Sequence, residues 1–135
     1  MNEPETIRNI FQLKTVAVVG MSPKQERPSN YVARYLRDQG YKIIPVNPGQ
    51  NMIEGEKCYP SLKAIPASVD VVDVFRRSEH VLPIVEAAIE IRAKALWLQD
   101  GVINLEAAQK AENAGLLVVM NNCMLRQHRL LQSRK

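Results

Sequence analysis

The sequence predicts an α/β fold, a doubly wound, mainly parallel five-stranded sheet with helices on both faces, and three observations lead to it. Five short apolar runs recur along the chain: Val16-Val19, Ile43-Val46, Val69-Phe75, Ala95-Leu98 and Leu116-Met120. They are near-continuous in Val, Ile and Leu rather than alternating, which is how strands covered on both faces read. Amphipathic stretches separate them through short connections, so strands and helices alternate.

Taken in order, residues 5–13 are expected as a leading helix attached to the sheet edge. The first strand ends at Gly20, and a helix then spans 29–39 with Ser29 as N-cap and Gly40 as C-cap. Within it Tyr31, Val32, Tyr35 and Leu36 form one stripe that faces the sheet, leaving Arg34, Arg37 and Asp38 to water. The second strand closes on Val46-Asn47-Pro48, and Pro60 to Ile65 make a turn or two of helix crossing to the third. Helices over 78–92, capped by Ser78, and over 104–114, between Asn104 and Gly115, follow the third and fourth strands. A closing helix covers 124–133. No Pro/Gly/Ser-rich linker and no internal repeat divides the 135 residues, so the chain reads as a single domain, 1–135.

Composition narrows the function classes. Apolar residues make up 46% and charged residues 24%, the balance of a folded globular chain. No window approaches a membrane-spanning apolar run, and the acidic start Met1-Asn2-Glu3-Pro4-Glu5, without an apolar stretch, argues against a signal peptide, so a cytoplasmic location is expected. The net charge of +4 belongs to the end of the chain, where Arg126, Arg129, Arg134 and Lys135 have no acid among them. Without these four the chain is balanced, 14 basic residues against 14 acidic, so the tail reads as a solvated helix face rather than a nucleic-acid contact. Cys58 and Cys123 show no CxxC spacing and no neighbouring His pair, which offers no metal site and points to free thiols.

The most informative segment follows the first strand. Gly20 is succeeded by Ser22, Lys24, Arg27, Pro28 and Ser29, placed between a buried strand and a helix start. There, unpaired backbone N–H groups and the positive end of the helix dipole converge on an anion. A dinucleotide fingerprint would carry G-x-G-x-x-G here and an acid about 20 residues on. Only Gly20 matches the first pattern, and the second strand ends in Pro45-Val46-Asn47-Pro48 without an acid. Lys24 and Arg27 are surface cations or phosphate ligands, and their position beyond a strand's carboxyl end favours a ligand richer in phosphate than NAD.

Further residues carry a resemblance. Gly20-Met21-Ser22-Pro23-Lys24 with Arg27-Pro28-Ser29 and Val32, then Val46-Asn47-Pro48, Val74-Phe75-Arg76, Trp97-Leu98-Gln99 with Gly101-Val102, and Cys123 together resemble the small stand-alone CoA-binding proteins. These are similar to the N-terminal CoA-binding domain of the succinyl-CoA synthetase α subunit, and the likeness covers about residues 12–130. It implies a Rossmann-like fold with coenzyme A across the carboxyl edge of the sheet. Ser22, Lys24, Arg27 and Ser29 would then serve the phosphates, with Gly20 also among the cofactor-binding residues. Val46, Asn47 and Pro48 would border the adenine or ribose, and Phe75, Arg76, Arg77, Gln99 and Gly101 would line the pantetheine side. Arg76 also reads as a solvated strand-end cation. One departure stands out: the family tends to carry an Asp shortly before the C-terminal cysteine, where this chain has Asn121-Asn122-Cys123.

No catalytic residue follows from these patterns. His80 at a helix start and His128 in the basic tail read as solvated or capping residues; Cys123, just after the fifth strand and near a helix N-terminus, reads as a buried structural thiol, with a reactive thiol as the alternative. The expected function is a non-catalytic coenzyme A binding module, taking CoA or acyl-CoA, that acts as carrier, sensor or regulatory partner of an acyl-CoA enzyme. The alternatives are a small NAD(P)-binding oxidoreductase, or one half of a CoA-dependent transferase or ligase completed by a partner chain.

Overall fold

A computed structural model describes residues 1–134. Its five-stranded sheet is parallel throughout, in the order β2-β1-β5-β6-β7, with β1 Thr15–Val19, β2 Lys42–Val46, β5 Val71–Val74, β6 Ala95–Leu98 and β7 Leu117–Val119. Helices α1 Pro4–Ile10, α2 Pro28–Asp38 and α5 Met124–Ser133 contribute to the core on one face. Helices α3 Val81–Glu90 and α4 Leu105–Asn113 cover the other. The α/β Rossmann-like expectation is met, and the apolar runs are buried because both faces are covered: Val16 and Val18 pack toward α2, Ala17 and Val19 toward α3 and α4. β2 and β5 flank β1 on opposite sides, so the chain direction across the sheet reverses at β1. A crevice opens there beyond the strand ends.

Local details differ from the sequence expectation. Ser29 is not the N-cap of α2. Arg27 occupies that place in extended conformation and Pro28 opens the helix, where its missing N–H costs nothing. Ser78 likewise starts a 3₁₀ turn, Ser78–His80, before α3 begins at Val81, while Asn104 caps α4 by accepting the Ala107 N–H at 3.0 Å. The Pro60–Ile65 segment forms a single 3₁₀ turn, Leu62–Ala64. An antiparallel hairpin, β3 Met52–Ile53 with β4 Glu56–Lys57, was not anticipated. Its turn residues Glu54 and Gly55 have φ of 53° and 79°, the double positive-φ signature of a tight hairpin turn.

Several polar residues are buried in this frame, His128 and Asp73 among them. His128 is buried, against the expectation of a solvated tail residue. Its Nδ1 pairs with the Tyr35 hydroxyl at 2.8 Å, and the rings of Phe11, Tyr35 and Tyr41 stand edge-on to it. Of the tail cations, Arg126 is paired with Asp100 and Arg129 lies over the Tyr35 ring; Lys135 lies outside the described residues.

Asp73 sits in the central strand between Val18 and Trp97, 0% exposed, and neither carboxyl oxygen has a hydrogen-bond partner among the described residues. Burial pushes its carboxyl well above the usual range, which favours the protonated form. Below about pH 4 the unfolded chain is protonated too. Above it only the unfolded chain gains by ionising, so this residue costs stability increasingly as pH rises. Asp73→Val is therefore expected to stabilise the fold by about 1–3 kcal/mol at neutral pH, with the gain shrinking toward pH 4 in denaturant titrations. A loss of stability at both pH values would contradict the orphaned carboxyl.

Candidate functional site

A cavity of about 630 Å³ opens where β1, β5 and β6 end. Gly20 forms its floor at φ +87°, and the loop to α2 supplies Ser22, Lys24 and Arg27 along one wall. Phe75, Arg76 and Arg77 follow β5, and Gln99, Gly101 and Val102 follow β6. The structure thus brings together ten residues singled out in the sequence, Gly20, Ser22, Lys24, Arg27, Ser29, Phe75, Arg76, Arg77, Gln99 and Gly101, around one space.

Its electrostatics are one-sided. The side chains of Lys24, Arg27, Arg76 and Arg77 make no ion pair or hydrogen bond among the described residues. The one carboxylate on the wall, Asp100, is already engaged. Both its oxygens accept from Arg126, at 2.9 and 2.8 Å, and that hydrogen-bonding holds its carboxyl below the usual range. Four cations beside the start of α2 leave a strong demand for a polyanion. The Ser22 Oγ accepts the Lys24 N–H and the Ser29 Oγ accepts the Ser22 N–H, so each hydroxyl keeps its own proton to donate.

The loop is braced from behind. Asn30, fully buried in α2, donates to the Ser22 carbonyl at 2.8 Å, and Arg34 donates to Asn30 Oδ1 and to the Gln25 carbonyl. Gln25 and Asn30 also reach the Glu54 carboxylate on the unanticipated hairpin, and Arg37 donates to the Glu54 carbonyl. Arg34 and Arg37, expected to face water, are half-buried struts. Such bracing fixes the loop before a ligand arrives, which lowers the ordering cost of binding.

Val46 and Pro48 lie elsewhere. With Pro60, Leu62, His80 and Ile84 they line a second, more apolar cavity of about 310 Å³, and Arg76 belongs to both walls. Asn47 lines neither. Its Nδ2 donates to the Met21 carbonyl at 2.9 Å and its Oδ1 accepts the Gly49 N–H, so the amide ties the end of β2 to the loop after β1. His80 is exposed on this second cavity.

Around the crevice three details differ from the sequence expectation. Tyr31, expected on the sheet-facing stripe, is 42% exposed and lines the first cavity; at the start of α2 it turns toward the crevice rather than the core. Cys123 is a half-buried free thiol on the same wall, while Cys58 is buried, its thiol pushed up by burial and directed at the Asn47 carbonyl. Asn121 and Asn122, where an acid was expected, are braces. Asn121 accepts the Gly101 N–H at 2.8 Å, and Asn122 accepts from the Cys123 N–H and from Arg126. Among the described residues no group of His, Cys, Asp and Glu is arranged to hold a metal, and no helix is long and apolar enough to cross a membrane.

Comparison with known proteins places this geometry in context. A family model described as a CoA binding domain matches residues 14–129. The Bacillus subtilis (strain 168) protein YneT, uncharacterised, is 41% identical over 119 residues, covering 87% of this chain and 88% of its own. ADP-forming acetate–CoA ligase I of Archaeoglobus fulgidus is 30% identical over 128 residues, covering 87% of this chain but only 19% of the ligase. A solved structure of a protein from Pyrococcus horikoshii OT3 superposes with a TM-score of 0.91 at 44% identity, over 95% of this chain and 91% of that one.

Proposed function

The chain belongs to the CoA binding domain family, and from that premise we propose that it is a coenzyme A binding module without catalytic turnover of its own. The observation that carries this reading is the set of four unpaired cations around one cavity at the sheet's switch point. Coenzyme A bears a pyrophosphate and a ribose phosphate, and Lys24, Arg27, Arg76 and Arg77 with the Ser22 and Ser29 hydroxyls supply donors for them. The adenine fits the apolar second cavity beyond Arg76, bordered by Val46 and Pro48. The pantetheine arm then runs past Phe75 toward Gln99 and Gly101. No histidine lines the first cavity, which leaves no evident general base or phosphoryl acceptor beside the arm.

An NAD(P) enzyme is the weaker reading, because the end of β2 offers Asn47 turned inward where a ribose-binding acid would stand. Titration calorimetry separates the two. CoA is expected to bind at least about tenfold more tightly than NADH, the difference that one additional charge-assisted phosphate contact supplies. Equal or tighter binding of NADH would overturn the reading. The match to one segment of an ADP-forming ligase supports a role as carrier or regulatory partner for an acyl-CoA enzyme on a separate chain. Recovery of a stoichiometric complex with such an enzyme from native lysate would test that part.

A further inference from the structure

Resting on the CoA reading, we propose that Cys123 is an acyl acceptor: it takes the acyl group of a bound short-chain acyl-CoA by thiol–thioester exchange. Two independent features meet on one stretch of cavity wall. The first is Cys123 itself, a free, half-buried thiol whose Sγ has no hydrogen bond among the described residues. It is held in extended conformation just before α5, with its own N–H fixed to Asn122 Oδ1 at 2.9 Å.

The second is Gln99. It is 4% exposed, lines the cavity, and its Oε1 accepts the Met124 N–H at 3.3 Å. That bond fixes which end of the amide is oxygen, since a backbone N–H needs an acceptor, and leaves Nε2 as an unspent donor. The described residues give this nitrogen no acceptor, and the open side of the amide is the cavity, so Nε2 is free to donate to a ligand there. Because Gln99 is tethered to the peptide nitrogen directly after Cys123, thiol and donor belong to one small neighbourhood. A thioester carbonyl is the group that fits both: an oxygen to accept from Nε2 and an electrophilic carbon for Sγ.

The exchange balances without an added reagent. The Cys123 thiol gives its proton to solvent and Sγ attacks the thioester carbonyl carbon. Gln99 Nε2–H stabilises the charge that develops on oxygen. The carbon–sulfur bond to CoA then breaks, and the departing CoA thiolate takes a proton from solvent. One thioester replaces another, so the equilibrium constant is near unity and excess CoA thiol reverses the reaction. A carrier needs that reversibility. Tyr31, Val102 and Phe75 line the same cavity and give it apolar surface for a short acyl chain.

The test uses purified full-length protein with acetyl-CoA, read by intact-mass and peptide mass spectrometry, with CoA affinity measured by calorimetry on the same samples. One acetyl group per chain is expected on Cys123, labile to hydroxylamine and removed by excess CoA. Cys123→Ala should abolish it and Cys58→Ala should keep it. With acetyl-CoA at saturating concentration, so that any change in affinity drops out, Gln99→Leu should slow acetylation about a hundredfold, the loss typical of removing one oxyanion donor. Acetylation should also be far faster from acetyl-CoA than from a small acetyl thioester lacking the nucleotide, because binding holds the reactants together. CoA binding with no acetyl on Cys123, or equal rates from both thioesters, overturns the acceptor role while leaving the CoA reading intact. Failure to bind CoA overturns both.

Discussion

Replacing Lys24 and Arg27 together by Ala is expected to weaken CoA binding by about a hundredfold or more. Each cation is unpaired, exposed and on the wall of the same cavity, so each is available for one charge-assisted contact to phosphate. Such contacts contribute about 1.5–3 kcal/mol apiece, more than the 0.3–1 kcal/mol of a helix dipole alone, so the side chains rather than the start of α2 decide affinity. The dependence of affinity on salt should flatten in the variant, since fewer charges remain to be screened. Thermal stability should be unchanged, because neither side chain bonds to any other part of the described protein. Dephospho-CoA adds a second reading: if one of the two cations holds the ribose phosphate, the double variant no longer distinguishes CoA from dephospho-CoA as the wild type does. Unchanged CoA affinity in the double variant would move the phosphates to Arg76 and Arg77.

What was legible in the sequence, and what was not, follows from the range over which each residue acts. The sheet was legible because its strands are buried on both faces, and that condition writes itself locally as Val/Ile/Leu runs. The Lys24-Arg27-Ser29 segment was legible because strand, turn and helix start are contiguous. Asn47 was harder: its position beside the crevice is local, but the partner that turns its amide inward, the Met21 carbonyl, lies 26 positions away. The burial of His128 was illegible for the same reason, since the Phe11, Tyr35 and Tyr41 rings that enclose it all lie far from it along the chain, Tyr35 by 93 positions. The β3–β4 hairpin was missed because each strand is two residues long and Glu54, not Asn or Asp, takes the first positive-φ position. Helix caps failed where Pro28 shifted the start of α2 by a residue, leaving Ser29 free to brace the loop instead. The cavity-facing thiol of Cys123 depends on where β7 ends relative to β6, a matter of register that no single stretch of sequence records.

Gly20→Ala is expected to cost about 3 kcal/mol or more of folding stability and, with it, CoA binding at ordinary concentrations. The residue has φ +87°, a conformation that costs an L side chain about 1–2 kcal/mol. Steric contact adds to this: a Cβ at position 20 would lie 2.4 Å from the Phe75 carbonyl oxygen and 3.2 Å from Arg76 Nε. The chain cannot relax away cheaply, because the Gly20 N–H is bonded to the Val46 carbonyl at 2.9 Å. The neighbouring Phe75 N–H is bonded to the Val19 carbonyl at the same distance, so β1 is clamped on both sides where it ends. Either the β1–β5 pairing parts at its carboxyl end, which lowers the melting temperature, or Phe75 and Arg76 shift and the cavity floor deforms. Paired thermal melts and calorimetric titrations distinguish these outcomes. A larger loss of affinity than of stability would identify the floor as the part that yields. An Ala variant with wild-type stability and wild-type affinity would mean that the close approach of β1 to Phe75 is not required for either.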